Sequence, residues 1–137
     1  MKLAVFASLL MILPFQAVAG SCVGKRVDVW VISGHDLTGD GLQDPDPYVK
    51  VTIGSETKHT KTIYGNAYPV WYEKLQFKKA SSDMMKIDVW EADEGLRGDD
   101  DHLGTCMEQL KSGGKQWHKI VCTTTNDGTV KLFYKCF

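Results

Sequence analysis

Hydrophobic and polar positions alternate in short runs along most of the chain. Val27, Val29 and Val31 alternate with Arg26, Asp28 and Trp30, and Val49, Val51 and Ile53 alternate with Lys50 and Thr52. Leu75 and Phe77 flank Gln76, and Ile87 and Val89 flank Asp88. Val130, Leu132 and Tyr134 alternate with Lys131, Phe133 and Lys135. A period of two means half-buried strands with one face on a core. His118 to Cys122 reads as a further strand, and Asn126-Asp127-Gly128 before Thr129 reads as a hairpin turn. No strong helical period interrupts these runs. About eight short strands separated by turns predict an all-β fold, an eight-stranded antiparallel β-sandwich.

The first twenty residues follow a different pattern. Met1-Lys2 precedes an apolar run from Leu3 to Phe15, which ends in Ala17-Val18-Ala19-Gly20. A basic start, a short apolar run and a small-x-small exit describe a secretory signal peptide. The expected organisation is a signal peptide over 1–20 and one domain over 21–137. Secretion to the extracellular space changes how the four cysteines read, because disulfides persist there. Cys22, Cys106, Cys122 and Cys136 allow three pairings. Cys22 and Cys136 flank the mature chain, and Cys106 and Cys122 would close a local loop, so position favours Cys22–Cys136 with Cys106–Cys122. None sits in a Cys-x-x-Cys pair, which disfavours a zinc site.

Composition adds one decisive feature. Overall the 137 residues are nearly neutral, 16 basic against 17 acidic, which argues against a nucleic-acid binder working through bulk positive charge. Yet nine of the 17 acids fall within residues 40–46 and 91–101. Like charges at that density repel unless a cation neutralises them. Calcium suits an all-oxygen ligand set of carboxylates with loose geometry, and the lack of nearby His or Cys pairs disfavours transition metals. The spacing is not that of a helix-loop-helix calcium hand. No Gly-x-Ser-x-Gly occurs, and no Cys/His nucleophile pair is suggested by spacing, so the chain reads as no enzyme.

Three stretches resemble the C2 domain family. Leu37 to Val51, LTGDGLQDPDPYVKV, is similar to the first calcium loop and the strand after it. Thr60 to Phe77, TKTIYGNAYPVWYEKLQF, resembles the Thr-Lys-Thr, Asn, Pro, Trp, Phe signature. Ile87 to Gly104, IDVWEADEGLRGDDDHLG, resembles the third loop, ending in Leu103-Gly104. Within the family the likeness runs to perforin-type C2 domains, on Val89-Trp90-x-Ala92-Asp93 and Gly104-Thr105-Cys106, and it supports the same cysteine pairing. A strand at the C-terminus, with no room for an extra one at the N-terminus, implies the type II strand order.

The resemblance implies calcium ligands residue by residue. Asp40 and Asp46 come from the first loop; Glu91, Asp93 and one or more of Asp99, Asp100 and Asp101 come from the third. Glu91 stands where the family has Asp. Leu42 and Leu96, set inside the acidic loops, and Tyr64 and Tyr68 of the middle loop are expected membrane contacts. The implied function is a stand-alone, secreted, monomeric module that binds phospholipid membranes through calcium. The alternative is a secreted module for a protein or glycan partner with a structural calcium site; an immune role is implied by the resemblance alone. Lys58, His59, Lys61, Lys74, Lys78 and Lys79 form a second, basic cluster, read as a solvated face.

Overall fold

The computed structural model describes residues 20–38, 43–93, 99–113 and 116–137. Residues 1–19, nearly all of the expected signal peptide, together with Asp40, Leu42 and Leu96, lie outside these residues. The strands are β1 (Val27–His35), β2 (Pro47–Ile53), β3 (Glu56–His59) and β4 (Val70–Phe77), followed by β5 (Met84–Glu91), β6 (Asp101–Gln109), β7 (His118–Thr123) and β8 (Thr129–Cys136). They form two four-stranded sheets, ordered β4-β1-β8-β7 and β3-β2-β5-β6. Every neighbouring pair is antiparallel. The C-terminal strand β8 lies between β1 and β7, which is the type II order. The expected eight-stranded sandwich is the observed fold.

The alternating runs explain how the sheets close on each other. Val27, Val29 and Val31 of β1, Leu75 and Phe77 of β4, and Val130, Leu132 and Tyr134 of β8 are buried. From the second sheet, Val49, Val51 and Ile53 of β2 meet them with Met85, Ile87 and Val89 of β5. Removing these apolar side chains from water is the main force joining the layers. One irregularity bends the first sheet. The β1 register shifts between Val31 and Ser33 against both neighbours. Trp71 and Tyr72 of β4 stand opposite Ile32 alone, so β4 carries a bulge there, with Tyr72 at φ 47°.

Two strands were not evident from alternation. β3 is short and polar, and β6 opens inside the second acidic stretch. That stretch is therefore not all loop: Glu91 ends β5, Asp101 begins β6, and the two pair directly. The basic cluster read from the sequence is also divided. Lys58 and His59 lie on β3, whereas Lys74 lies on β4 in the other sheet.

Both bridges are present, Cys22–Cys136 between the ends of the domain and Cys106–Cys122 between β6 and β7. The second ties an edge strand of one sheet to an edge strand of the other. Beside it, Gly104 allows β6 to approach the turn after β7. A Cβ at Gly104 would stand 2.8 Å from the Thr124 Cα, while the Thr125 amide donates to the Leu103 carbonyl at 2.9 Å. The obstacle is backbone and cannot rotate away. Gly104→Ala is expected to destabilise the domain by about 1–3 kcal/mol, measured by denaturant unfolding. An unchanged midpoint would show that the turn moves freely.

Candidate calcium site

Strand register brings the two acidic stretches to the same end of one sheet. β2 begins at Pro47, β5 ends at Glu91 and β6 begins at Asp101, and the ladders pair Pro47 with Glu91 and Glu91 with Asp101. Asp46, immediately before β2, is joined to the next step of this ladder: its carbonyl accepts from the Ala92 amide at 2.9 Å. Carboxylates from two stretches some 45 positions apart in the sequence are thereby brought to one end of one sheet. Asp93, Asp99 and Asp100 follow on the third loop at the same end.

Hydrogen bonds position the Asp46 and Asp100 side chains. Asp46 Oδ1 accepts from the Gly65 amide at 2.6 Å, and the Pro45 carbonyl accepts from the Asn66 amide at 2.9 Å. These bonds tie the first acidic loop to the middle loop between β3 and β4. Gly65 has φ 63°, a conformation in which glycine is unstrained, so the amide can turn toward the carboxylate. Asp100 uses both oxygens. The Tyr48 hydroxyl donates to Oδ2, and the Asp93 amide donates to Oδ1 at 3.0 Å. This bracket ties Asp93 and Asp100 to β2. Its partner Tyr48 belongs to the Asp-Pro-Tyr stretch, but nothing in the sequence pairs it with one Asp of three.

The bracket sets two protonation states. Burial first, then the hydrogen bond to Asp100 and its negative charge, push the Tyr48 pKa up to about 12. The same hydroxyl, with the Asp93 amide second, holds the Asp100 carboxyl below its ordinary value. The proton thus stays on the tyrosine and the charge on the aspartate. A tyrosine raised above its ordinary 10.0 gives stability that is complete below that pH and lost as pH climbs toward 12. Absorbance titration in chelator should show a tyrosinate component with a midpoint near 12 that Tyr48→Phe removes. A titration identical in the two proteins would contradict the bracket.

The two candidate membrane tyrosines project beside this end, Tyr64 61% and Tyr68 52% exposed. The Tyr68 hydroxyl donates to Asp36 Oδ1 at 2.9 Å, and its ring meets His35 edge-on at 5.0 Å. His35-Asp36 is thus the end of β1, with Asp36 at φ 57°, and it supports the middle loop. His102 turns the other way. On the outer face of the second sheet its Nε2 lies 2.9 Å from Asp88 Oδ1 and its ring packs on Trp90 at 4.8 Å. Burial works against the Asp88 charge, but bonds from Thr105 and His102 with the nearby Lys86 outweigh it, and its pKa falls. This arrangement has no counterpart in the sequence reading.

The donor chemistry fits calcium: Asp46, Glu91, Asp93, Asp99, Asp100 and Asp101 offer carboxylate oxygens at one end of the sandwich. Among the described residues, no three acidic, histidine or cysteine side chains stand close enough to hold an ion by themselves. Asp40, which the resemblance places among the ligands, lies outside those residues.

A sandwich of this strand order, with paired acidic loops at one end, defines a C2 architecture. The chain belongs to the C2 domain family, whose model matches residues 25–122. It is 34% identical over 102 residues to perforin-1 of Rattus norvegicus, covering 72% of this chain and 17% of that one. It is 30% identical over 108 residues to Protein C2-DOMAIN ABA-RELATED 11 of Arabidopsis thaliana, covering 77% of this chain and 64% of that one. A solved C2 domain structure superposes with a TM-score of 0.70 at 28% identity, covering 81% of this chain and 96% of the other. The chain thus spans less than a fifth of the rat perforin-1 it resembles.

Proposed function

We propose that the chain is a secreted C2 module that binds phospholipid surfaces in a calcium-dependent manner. It acts as a binding module rather than as an enzyme, and as a monomer. Asp40, Asp46, Glu91, Asp93, Asp99 and Asp101 would hold the metal, with Asp100 shared between the metal and its bracket to Tyr48. The observation that carries this reading is the Pro47–Glu91–Asp101 register, which gathers both acidic stretches at one end of the sheet.

The physics runs in two steps. Without a cation, the crowded carboxylates repel one another and any anionic membrane. Calcium supplies positive charge and coordination positions that lipid phosphate oxygens can complete. Metal and lipid then raise each other's affinity by the same factor. Tyr64 and Tyr68, exposed at this end, offer amphipathic rings suited to the headgroup layer. Leu42 and Leu96 would add apolar insertion from the acidic loops. The signal-like N-terminus and the two bridges support export, because disulfides endure in oxidising compartments.

The test is sedimentation of the mature protein with phosphatidylcholine and phosphatidylserine vesicles, with calcium and with chelator. Binding in calcium alone supports the proposal. A folded protein that stays in the supernatant under both conditions overturns it, and turns attention to a protein or glycan ligand.

A further inference from the structure

The outer face of the β4-β1-β8-β7 sheet forms a second surface, separate from the acidic end. One cross-strand row reads Lys74, Trp30, Phe133, Lys119 across the four strands. Lys131 and Lys135 lie two residues to either side of Phe133 on β8. Strand spacing sets Lys74 and Lys119 about 14 Å apart, and residue rise sets Lys131 and Lys135 about 14 Å apart. Four ammonium groups therefore surround a central pair of aromatic side chains.

Tyr72 and Trp117 widen the aromatic centre. The Trp30 ring lies 6.2 Å from that of Tyr72 and 5.9 Å from that of Trp117. Lys74 Nζ stands 5.8 Å from the Trp30 centroid and 5.6 Å from that of Trp117. The β4 bulge presents Tyr72 outward, 64% exposed.

The charge of this face is not cancelled. Among the described residues, none of the four lysines makes a salt bridge with a carboxylate. Asp28, opposite Lys135 in the ladder, is engaged by Arg26 at 3.4 Å and by the Gln76 amide at 3.2 Å. On the other sheet, by contrast, Lys58 pairs with Glu56 and Lys86 with Asp88. A positive field over the half-buried Trp30 and the exposed Tyr72 attracts a ligand that is both anionic and able to stack. The aromatic side chains lie in mid-sheet rather than at loop tips, so they cannot enter a bilayer edge-first. They suit the flat, weakly apolar faces of sugar rings.

We propose that this face binds a sulfated glycosaminoglycan, sugar rings stacking on Trp30 and Tyr72 while sulfates meet Lys74, Lys119, Lys131 and Lys135. It does so without calcium, so its success or failure is separate from that of the membrane reading.

The experiment is calorimetric titration with heparin in chelator, repeated across a salt series. Wild type should bind, more weakly as salt rises. The double variant Lys119→Gln/Lys131→Gln should weaken binding by at least about tenfold, since exposed cations on one face act jointly. Tyr72→Asn, a residue that tolerates positive φ, should lower affinity several-fold while leaving the salt dependence intact. The double variant Lys58→Gln/Lys86→Gln on the opposite sheet should bind as wild type. Desulfated heparin and phosphatidylserine vesicles should not bind in chelator. The proposal is overturned if heparin affinity is unchanged in Lys119→Gln/Lys131→Gln or falls equally in the opposite-face variant. It is also overturned if vesicles bind in chelator and heparin does not.

Discussion

Asp46→Asn should raise the calcium concentration needed for vesicle binding by about 10–100-fold, the range expected when a group that supports a metal site is altered. The substitution is informative because of what it preserves. Asp46 Oδ1 accepts from the Gly65 amide at 2.6 Å, and an asparagine carbonyl oxygen can accept the same bond. The tie between the first and middle loops therefore survives, and only the charge is lost. Thermal stability in chelator should be unchanged or slightly higher, because one member of a repelling group is gone. Asp93→Asn should act in the same direction: the contact shown there is its backbone amide to Asp100, which the substitution leaves in place. Vesicle sedimentation across a calcium series, paired with thermal melts, separates the two effects. Wild-type calcium dependence in both variants would remove Asp46 and Asp93 from the site.

Removing the Cys22–Cys136 bridge is expected to have the largest effect on stability. The bridged residues are 114 apart in sequence, against 16 for Cys106–Cys122. In the chain-entropy account, constraint of the unfolded state grows with loop length, giving about 4–5 kcal/mol for the long loop and about 3 kcal/mol for the short one. For a domain of this size the long bridge corresponds to a fall in Tm of roughly 10–20 °C. Cys22→Ala/Cys136→Ala is the cleaner comparison, because both positions are buried and a hydroxyl there would be desolvated. The local setting strengthens the expectation. The Cys22 amide donates to Asp83 at 2.6 Å, and the Phe137 amide donates to the Arg26 carbonyl at 2.9 Å, so the bridge joins two anchored ends. Equal melting temperatures for the double variant and wild type would show that these anchors alone suffice.

The two tyrosines at the acidic end and the lysine and aromatic face of the β4-β1-β8-β7 sheet are distinct surfaces. Tyr64 and Tyr68 belong to the middle loop at the acidic end, Tyr68 braced by Asp36 at the end of β1. The lysine and aromatic face lies on the flank, on strands whose inner side chains form the core. Changes at one surface can therefore be made without unfolding the other, which allows the two proposed ligands to be tested separately.

By itself, the sequence determined the sandwich and its inward faces. Period two is a local property, so Val27, Val29 and Val31 or Ile87 and Val89 declare their buried side without knowledge of partners. It also located both acidic stretches, and the positions of the cysteines favoured the pairing that is observed. It did not reveal β3, whose four polar residues carry no hydrophobic pattern, nor that β6 begins at Asp101 within the acid run. Only the tertiary structure decided which carboxylates face which groups. The Tyr48–Asp100 bracket joins residues 52 apart, and the Asp46–Gly65 bond joins loops on either side of two strands. Strand order also split Lys58 from Lys74 and placed Lys74 in a row with Trp30, Phe133 and Lys119. Such neighbours follow from which strands pair and in what register, and those depend on all the strands closing on one core.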